Sequence, residues 1–209
     1  MSTTTPIISP PFDAPRFGGV ILAAGSSSRM GRPKQLLPLA GQPLLLRSVD
    51  ALLATPLWPV VVVVGAGAAE IRPLLARRPV LVAENPAWQE GMASSLRTGI
   101  EVLQQFSRTM AGALIALCDQ PAFSARVVEQ LLAAQRASGR SIAAARYQGR
   151  HGAPALFLCS HFAALSALTG EEGARQLLHG SPEQIASVDL PELAVDLDTP
   201  EDYASAQQT

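Results

Sequence analysis

Short, uninterrupted apolar runs recur along this chain, each followed by a polar break and then an amphipathic stretch. Residues 59–64 (PVVVVV) are the extreme case, a proline followed by five valines. β-Branched residues favour strands, and a strand without polar alternation must be covered on both faces. Residues 18–23 (GGVILA) and 113–117 (ALIAL) read the same way. Between these runs lie helix-period segments at 43–54, 68–76, 92–106 and 124–138, the first with a proline at its start, where proline is tolerated. Further strands are expected at 80–83, 141–146, 155–158 and 185–188, and helices near 161–168, near 173–178 and from Pro200. Strand and helix alternate, which predicts an α/β fold with a mainly parallel sheet and helices on both faces.

Composition narrows the class. The chain has 209 residues, of which 48% are hydrophobic. At roughly 150 residues per domain, that suits one α/β-sized domain over 17–209. Residues 1–16 hold four prolines among serines and threonines, and read as a disordered leader. A net charge of -1 excludes a broadly basic nucleic-acid binder and a polybasic membrane protein. Two cysteines, Cys118 and Cys159, make no disulfide framework and point to a reducing compartment. No apolar run approaches the roughly 18 residues of a membrane helix, and the N-terminus lacks the basic and apolar regions of a signal peptide. The expectation is a soluble, cytoplasmic chain without nucleic-acid or membrane partners.

In parallel sheets, ligands bind beyond the C-terminal ends of strands, so the segments there carry the search for chemistry. The first run leads into residues 22–34 (LAAGSSSRMGRPK). A loop so rich in glycine, serine and alanine lets backbone N–H groups approach a polyphosphate. Arg29 and Lys34 add cationic donors. Lys34 is the only lysine among sixteen basic residues, which sets it apart from an ordinary surface charge. The loop is expected to be exposed, and its lysine with it. It is not a P-loop, since no glycine directly precedes the lysine and no Ser/Thr follows it. A solvated loop with two ordinary cations is the plain alternative.

Residues 65–70 (GAGAAE) also follow a strand and open a helix, as a dinucleotide fingerprint would. Glu70 stands where a pyrophosphate would lie, so a plain strand-to-helix turn is favoured. Asp119 follows an apolar strand, well placed to hold a metal ion beside a phosphate; a turn aspartate is the alternative. Asp196 and Asp198 alternate onto one side of an extended segment. Glu201 and Asp202, after Thr199-Pro200, read as helix-start residues. That leaves Asp198 as a candidate second metal ligand. His151, His161 and His179 form no catalytic set, and no Cys/His spacing matches a zinc site.

Residues 22–34 resemble the Leu-Ala-Ala-Gly-x-Ser-x-Arg-Met-Gly-x-x-Lys signature of nucleotidyltransferases that transfer an NMP onto a phosphate. Among these the chain is most similar to the molybdenum cofactor cytidylyltransferases. Further motifs support this: Asn85, Pro86, Trp88, Gly91 and Ser95; Asp119-Gln120-Pro121; Gly149, Gly152 and Pro154; Gly170, Gly173, Ala174 and Arg175; and the run from Asp196 to Asp202. The resemblance covers about residues 17–206. It implies a Rossmann-like three-layer sheet of the nucleotide-diphospho-sugar transferase type, with Mg²⁺, CTP as donor and molybdenum-bearing molybdopterin as acceptor. The products would be molybdopterin cytosine dinucleotide and pyrophosphate, with a recipient molybdoenzyme or its chaperone as a further partner. Related guanylyltransferases carry Leu-Ala-Gly-Gly at the loop start, so Ala24-Gly25 points to CTP over GTP.

On this resemblance, Leu22, Ala23, Ala24, Gly25, Ser26 and Ser28 hold the nucleotide, with Asn85 and Ser95 as nucleotide or sugar contacts. Arg29 and Lys34 serve the triphosphate and the chemistry, while Asp119 and Asp198 hold Mg²⁺. The nucleophile is an anionic phosphate, so no general base is required. Positioning and cationic stabilisation carry the rate. Rival expectations are a GTP-dependent or isoprenoid/sugar-phosphate nucleotidyltransferase, an NAD-dependent oxidoreductase resting on Gly65 and Gly67, and a non-catalytic nucleotide- or cofactor-delivery protein.

Overall fold

The computed structural model describes residues 16–180 and 182–207. A seven-stranded sheet organises it. Its strands are β1 (Arg16–Ala23), β4 (Val60–Val64), β5 (Leu81–Glu84), β6 (Met110–Leu117), β7 (Ile142–Tyr147), β8 (Arg150–Leu158) and β9 (Ile185–Asp189). A separate two-residue ribbon, β2 (Pro38–Leu39) with β3 (Gln42–Pro43), follows the first loop. The sheet order is β5-β4-β1-β6-β8-β7-β9, and only β8 runs antiparallel to its neighbours.

The apolar runs become strands because the sheet has a core on each side. Alternate residues of one strand point to opposite faces. Ile21, Val62 and Leu114 face one core, with Leu45 and Leu52 of α1 (Leu44–Leu53), Ile71 of α2 (Ala68–Leu75) and Leu131 of α4 (Ala125–Ser138). Val20, Val61 and Ile115 face the other, with Leu96 and Ile100 of α3 (Met92–Phe106), Leu165 of α5 (Phe162–Ala167) and Leu178 of α6 (Arg175–Gly180). All five valines of β4 are 0% exposed, so neither face could tolerate a polar residue.

A third, smaller core decides where the site forms. Met30 and Leu37 of the first loop pack with Leu197 and with Tyr203 of α7 (Pro200–Ala206). The Tyr203 hydroxyl donates to the Pro38 carbonyl at 2.5 Å, and the Leu197 N–H donates to the Asp119 carbonyl at 3.0 Å. The segment around Asp198 is thereby tied both to the loop after β1 and to the end of β6.

Two expectations change. Residues 150–154 extend the strand expected at 155–158 back to Arg150. β7 and β8 form a hairpin whose tip, Gln148-Gly149, has positive φ at both residues (50° and 74°), as a tight primed turn requires. Gly152 and Pro154 hid that strand, whose register with β7 shifts at Ala144/Ala145. Arg16 opens β1 instead of ending a leader; the rest of that stretch, 1–15, lies outside the described residues. Among the described residues, no helix is long and apolar enough to cross a membrane.

Candidate active site

The parallel strands β1 and β6 end side by side, which brings the segments after Ala23 and after Leu117 together. The loop from β1 holds two short 3-10 turns, Ser28–Met30 and Lys34–Leu36. Ser27, just before the first turn, is left-handed (φ 55°), and buried Met30 closes that turn from inside. A cavity of about 270 Å³ opens against this loop. Of the residues singled out in the sequence, Leu22, Ala23, Ala24, Gly25, Ser26, Lys34, Ser95 and Asp119 line it.

Lys34 sits at the centre of the charges. Its Nζ donates to Asp119 Oδ2 at 2.5 Å and to Asp198 Oδ1 at 2.9 Å, while Arg29 Nη2 lies 3.0 Å from Asp198 Oδ2. The two aspartates, far apart in sequence, therefore share one cation. Contrary to expectation, Lys34 is not an exposed loop residue: its side chain is 16% exposed, and that of Asp119 13%. The carboxylates draw the ammonium inward. Burial alone would lower its pKa, but Asp119 and Asp198 together outweigh burial and hold it above the ordinary lysine value. Asp198 is the converse case. Burial would raise its pKa, but the hydrogen bonds and charges of Lys34 and Arg29 hold it below the usual carboxylate range.

The helix-start role falls to other residues. Thr199 Oγ1 accepts the Asp202 N–H at 3.2 Å, and Asp202 Oδ2 accepts the Thr199 N–H at 2.9 Å, a reciprocal capping box. Asp198 Oδ1 and Oδ2 are thus left to the two cations. Asp196, on the far side of buried Leu197, has its pKa raised to about 6 by burial first and by the charges of Asp119 and Asp198 next. Cys118, wholly inside, is raised to about 12, chiefly by burial and then by the charge of Asp119.

The remaining candidates divide. Ser28, Arg29, Asn85 and Asp198 are not among the residues lining the cavity. Asn85 lies behind its wall, 2% exposed. Its amide donates to Ser94 Oγ (2.8 Å) and Ser95 Oγ (3.0 Å), and its Oδ1 accepts the Ala87 N–H (2.9 Å). Its hydrogen bonds are spent within the protein, so it presents Ser95 instead of reaching a ligand itself. Arg29 is 71% exposed at the rim.

Gln35, Gln89, Met92 and Glu171, to which the sequence assigns no role at the site, also line the cavity. The loop carrying Glu171 meets Gly91 so closely that a Cβ there would lie 2.6 Å from the Gly170 carbonyl oxygen. Residues 65–70 do not line the cavity. A Cβ at Gly65 would sit 2.8 Å from Trp88 Cβ and 2.9 Å from Ala24 Cβ, so that glycine serves packing. His151 bonds to Ser187 and His161 to Ser141, and neither lines the cavity.

The donor set suits a hard divalent cation. Two carboxylates face one position that already holds a positive group, and Asp119 Oδ1 is buried without a hydrogen-bond partner. Among the described residues there is no group of three or more His, Cys, Asp or Glu that could hold a metal. Two protein carboxylates suffice where phosphates and waters complete the shell, the usual arrangement for Mg²⁺.

A glycine- and serine-rich loop, a central lysine and a carboxylate pair meet at the C-terminal edge of the parallel strands, an arrangement that suits a nucleotidyltransferase. The comparisons agree. The chain belongs to the MobA-like NTP transferase domain family, whose profile matches residues 19–188. It is 33% identical over 200 residues to nicotine blue oxidoreductase of Paenarthrobacter nicotinovorans, covering 90% of this chain and 95% of that one. It is 31% identical over 203 residues to purine catabolism protein PucB of Bacillus subtilis (strain 168), covering 91% and 95%. Among solved structures, Rv0371c of Mycobacterium tuberculosis H37Rv superposes with a TM-score of 0.80 at 26% identity, over 94% of this chain and 100% of that one. Rv0371c has also been solved in complex with manganese (TM-score 0.74, 25% identity, covering 94% and 100%).

Proposed function

We propose that the protein transfers CMP from CTP to the terminal phosphate of molybdenum-bearing molybdopterin, releasing pyrophosphate. The observation that carries this reading is Lys34 held between Asp119 and Asp198 beside a loop of backbone donors. The donor and acceptor identities rest on the family motifs, above all on Ala24-Gly25 at the loop start.

In this reading a phosphate oxygen of the acceptor attacks the α-phosphorus of CTP. The new P–O bond forms as the bond to the β-phosphate oxygen breaks, and pyrophosphate leaves. The attacking oxygen is already anionic, so no proton needs removing and no histidine is needed at the cavity. The obstacle is charge: two anions must meet while negative charge grows on the leaving group. Backbone N–H groups after Ala23 bind the phosphates. Lys34 moves from its carboxylates toward the triphosphate, and Arg29 at the rim reaches the outer phosphates. Asp119 and Asp198 would hold Mg²⁺, which when bound supplies positive charge to phosphate oxygens. Leu22 and Ser95 shape the nucleoside end.

The test is pyrophosphate release from each of the four NTPs, with and without molybdenum-loaded molybdopterin. Release from CTP that depends on this acceptor supports the reading. A preference for GTP, or indifference to the acceptor, would sink it. CTP binding without any release would point instead to a delivery protein.

A further inference from the structure

Gln35 is 1% exposed, directly after the lysine, in the midst of the loop. A buried primary amide must satisfy two N–H donors and an acceptor, and here all three go to the loop itself. Nε2 donates to the Ala23 carbonyl at 3.0 Å and to the Gly25 carbonyl at 3.0 Å. Oε1 faces the Ser27 hydroxyl at 3.4 Å, and Ser27 Oγ in turn accepts the Lys34 N–H at 3.1 Å. The amide is therefore a staple across both ends of the loop's first turn.

The geometry has a chemical consequence. In a trans peptide unit the C=O and the following N–H point in opposite directions within one plane. Drawing the carbonyls of Ala23 and Gly25 onto one buried nitrogen turns the N–H groups of Ala24 and Ser26 the other way. Ala24, Gly25 and Ser26 line the cavity, and no backbone bond in the loop consumes either N–H. We propose that Gln35 is a positioning residue for the transfer reaction: it presets the Ala24 and Ser26 amides as an anion cradle for the donor's phosphates. The proposal rests on the nucleotidyl-transfer reading of the cavity, but not on which base or acceptor is used.

Two donors held in place without reorganisation strengthen the binding of phosphate charge. Gln35→Met keeps length and volume while removing all three hydrogen bonds. It should weaken inorganic tripolyphosphate and CTP by the same factor, roughly tenfold or more. A merely structural role would lower the melting temperature while leaving the affinity of the folded protein for both ligands unchanged, and that result would overturn the proposal. Gln35→Glu adds a pH signature. The ionised side chain repels both carbonyls, and the protonated one can donate to one of them, so tripolyphosphate affinity should recover partly on acidification, relative to wild type. A flat ratio overturns the idea.

Should neither variant fold, the wild-type protein still decides the matter. Titration with tripolyphosphate, followed by amide resonances, should shift Ala24 and Ser26 most within the loop, and unmoved signals there would refute the cradle. Pyrophosphate release from GTP in place of CTP would instead sink the cytidylyl assignment and leave the cradle standing.

Discussion

Replacing Lys34 with alanine separates its electrostatic role from that of an ordinary loop residue. The ammonium lies 2.5 Å from one carboxylate oxygen and 2.9 Å from another. Without it, Asp119 and Asp198 face each other with only rim-exposed Arg29 to compensate. An exposed ion pair is worth about 0–1 kcal/mol, and removing one partner of a buried pair costs about 3–5 kcal/mol. With Lys34 at 16%, Asp119 at 13% and Asp198 at 34% exposure, the cost falls between these limits. About 2 kcal/mol is expected, or a loss of roughly 4–8 °C in Tm for a chain of this size. The raised pKa of the ammonium means that its stabilisation is complete below the ordinary lysine value and fades only as pH rises through the higher folded value. The deficit should therefore be constant from roughly pH 7 to 9. Emptied of its internal cation, the carboxylate pair should bind Mn²⁺ more tightly than wild type in nucleotide-free protein, and added Mn²⁺ should restore part of the lost Tm. Turnover should fall by roughly 10²-fold or more, as for other lost charge-stabilising donors. Scanning calorimetry with and without Mn²⁺, paired with pyrophosphate release, measures all three. A Tm within about 1 °C of wild type, with unchanged Mn²⁺ affinity, would refute the counter-ion argument.

Asp198→Asn should remove most Mg²⁺-dependent turnover with the helix start intact, whereas Thr199→Ala should cost about 1 kcal/mol of stability and spare turnover. The reverse pattern would show Asp198 to be the structural residue. Asp196 has its folded pKa raised to about 6, so its favourable contribution is present below the unfolded value of 3.8 and lost as pH rises through 6. Asp196→Asn should accordingly raise Tm near neutral pH, by roughly 2–4 °C after allowing for solvent screening, and leave it unchanged near pH 4; a gain equal at both pH values contradicts the burial argument. A thiol reagent at mildly alkaline pH should modify exposed Cys159 promptly and Cys118 only on unfolding, since burial holds the latter's pKa near 12. Two fast-reacting thiols in native protein would be inconsistent with the described core.

Much was readable from the residues alone, because period and composition report which faces of an element are buried. Five consecutive valines imply a strand covered on both sides, and β4 is buried throughout. The helix read over 92–106 begins and ends at those residues. The glycine- and serine-rich loop with the sole lysine marks the cavity wall for the same local reason: only small residues let backbone donors approach a ligand. Partnership between distant segments is a different kind of information. Lys34 meets Asp198 across 164 positions because Met30, Leu37, Leu197 and Tyr203 bury one another, and no local periodicity encodes that. The burial of Lys34 follows from the same contact, whereas the cap formed by Thr199 and Asp202 is a local motif that the sequence itself marks. Strand β8 is longer than its local sequence suggests because glycine and proline signal turns locally, whereas pairing with β6 and β7 supplies the ladder that overrides them. Gln35 reads in sequence as one more polar loop residue. Only the folded chain, which closes the loop over it, turns its amide into the staple that orients the loop's donors.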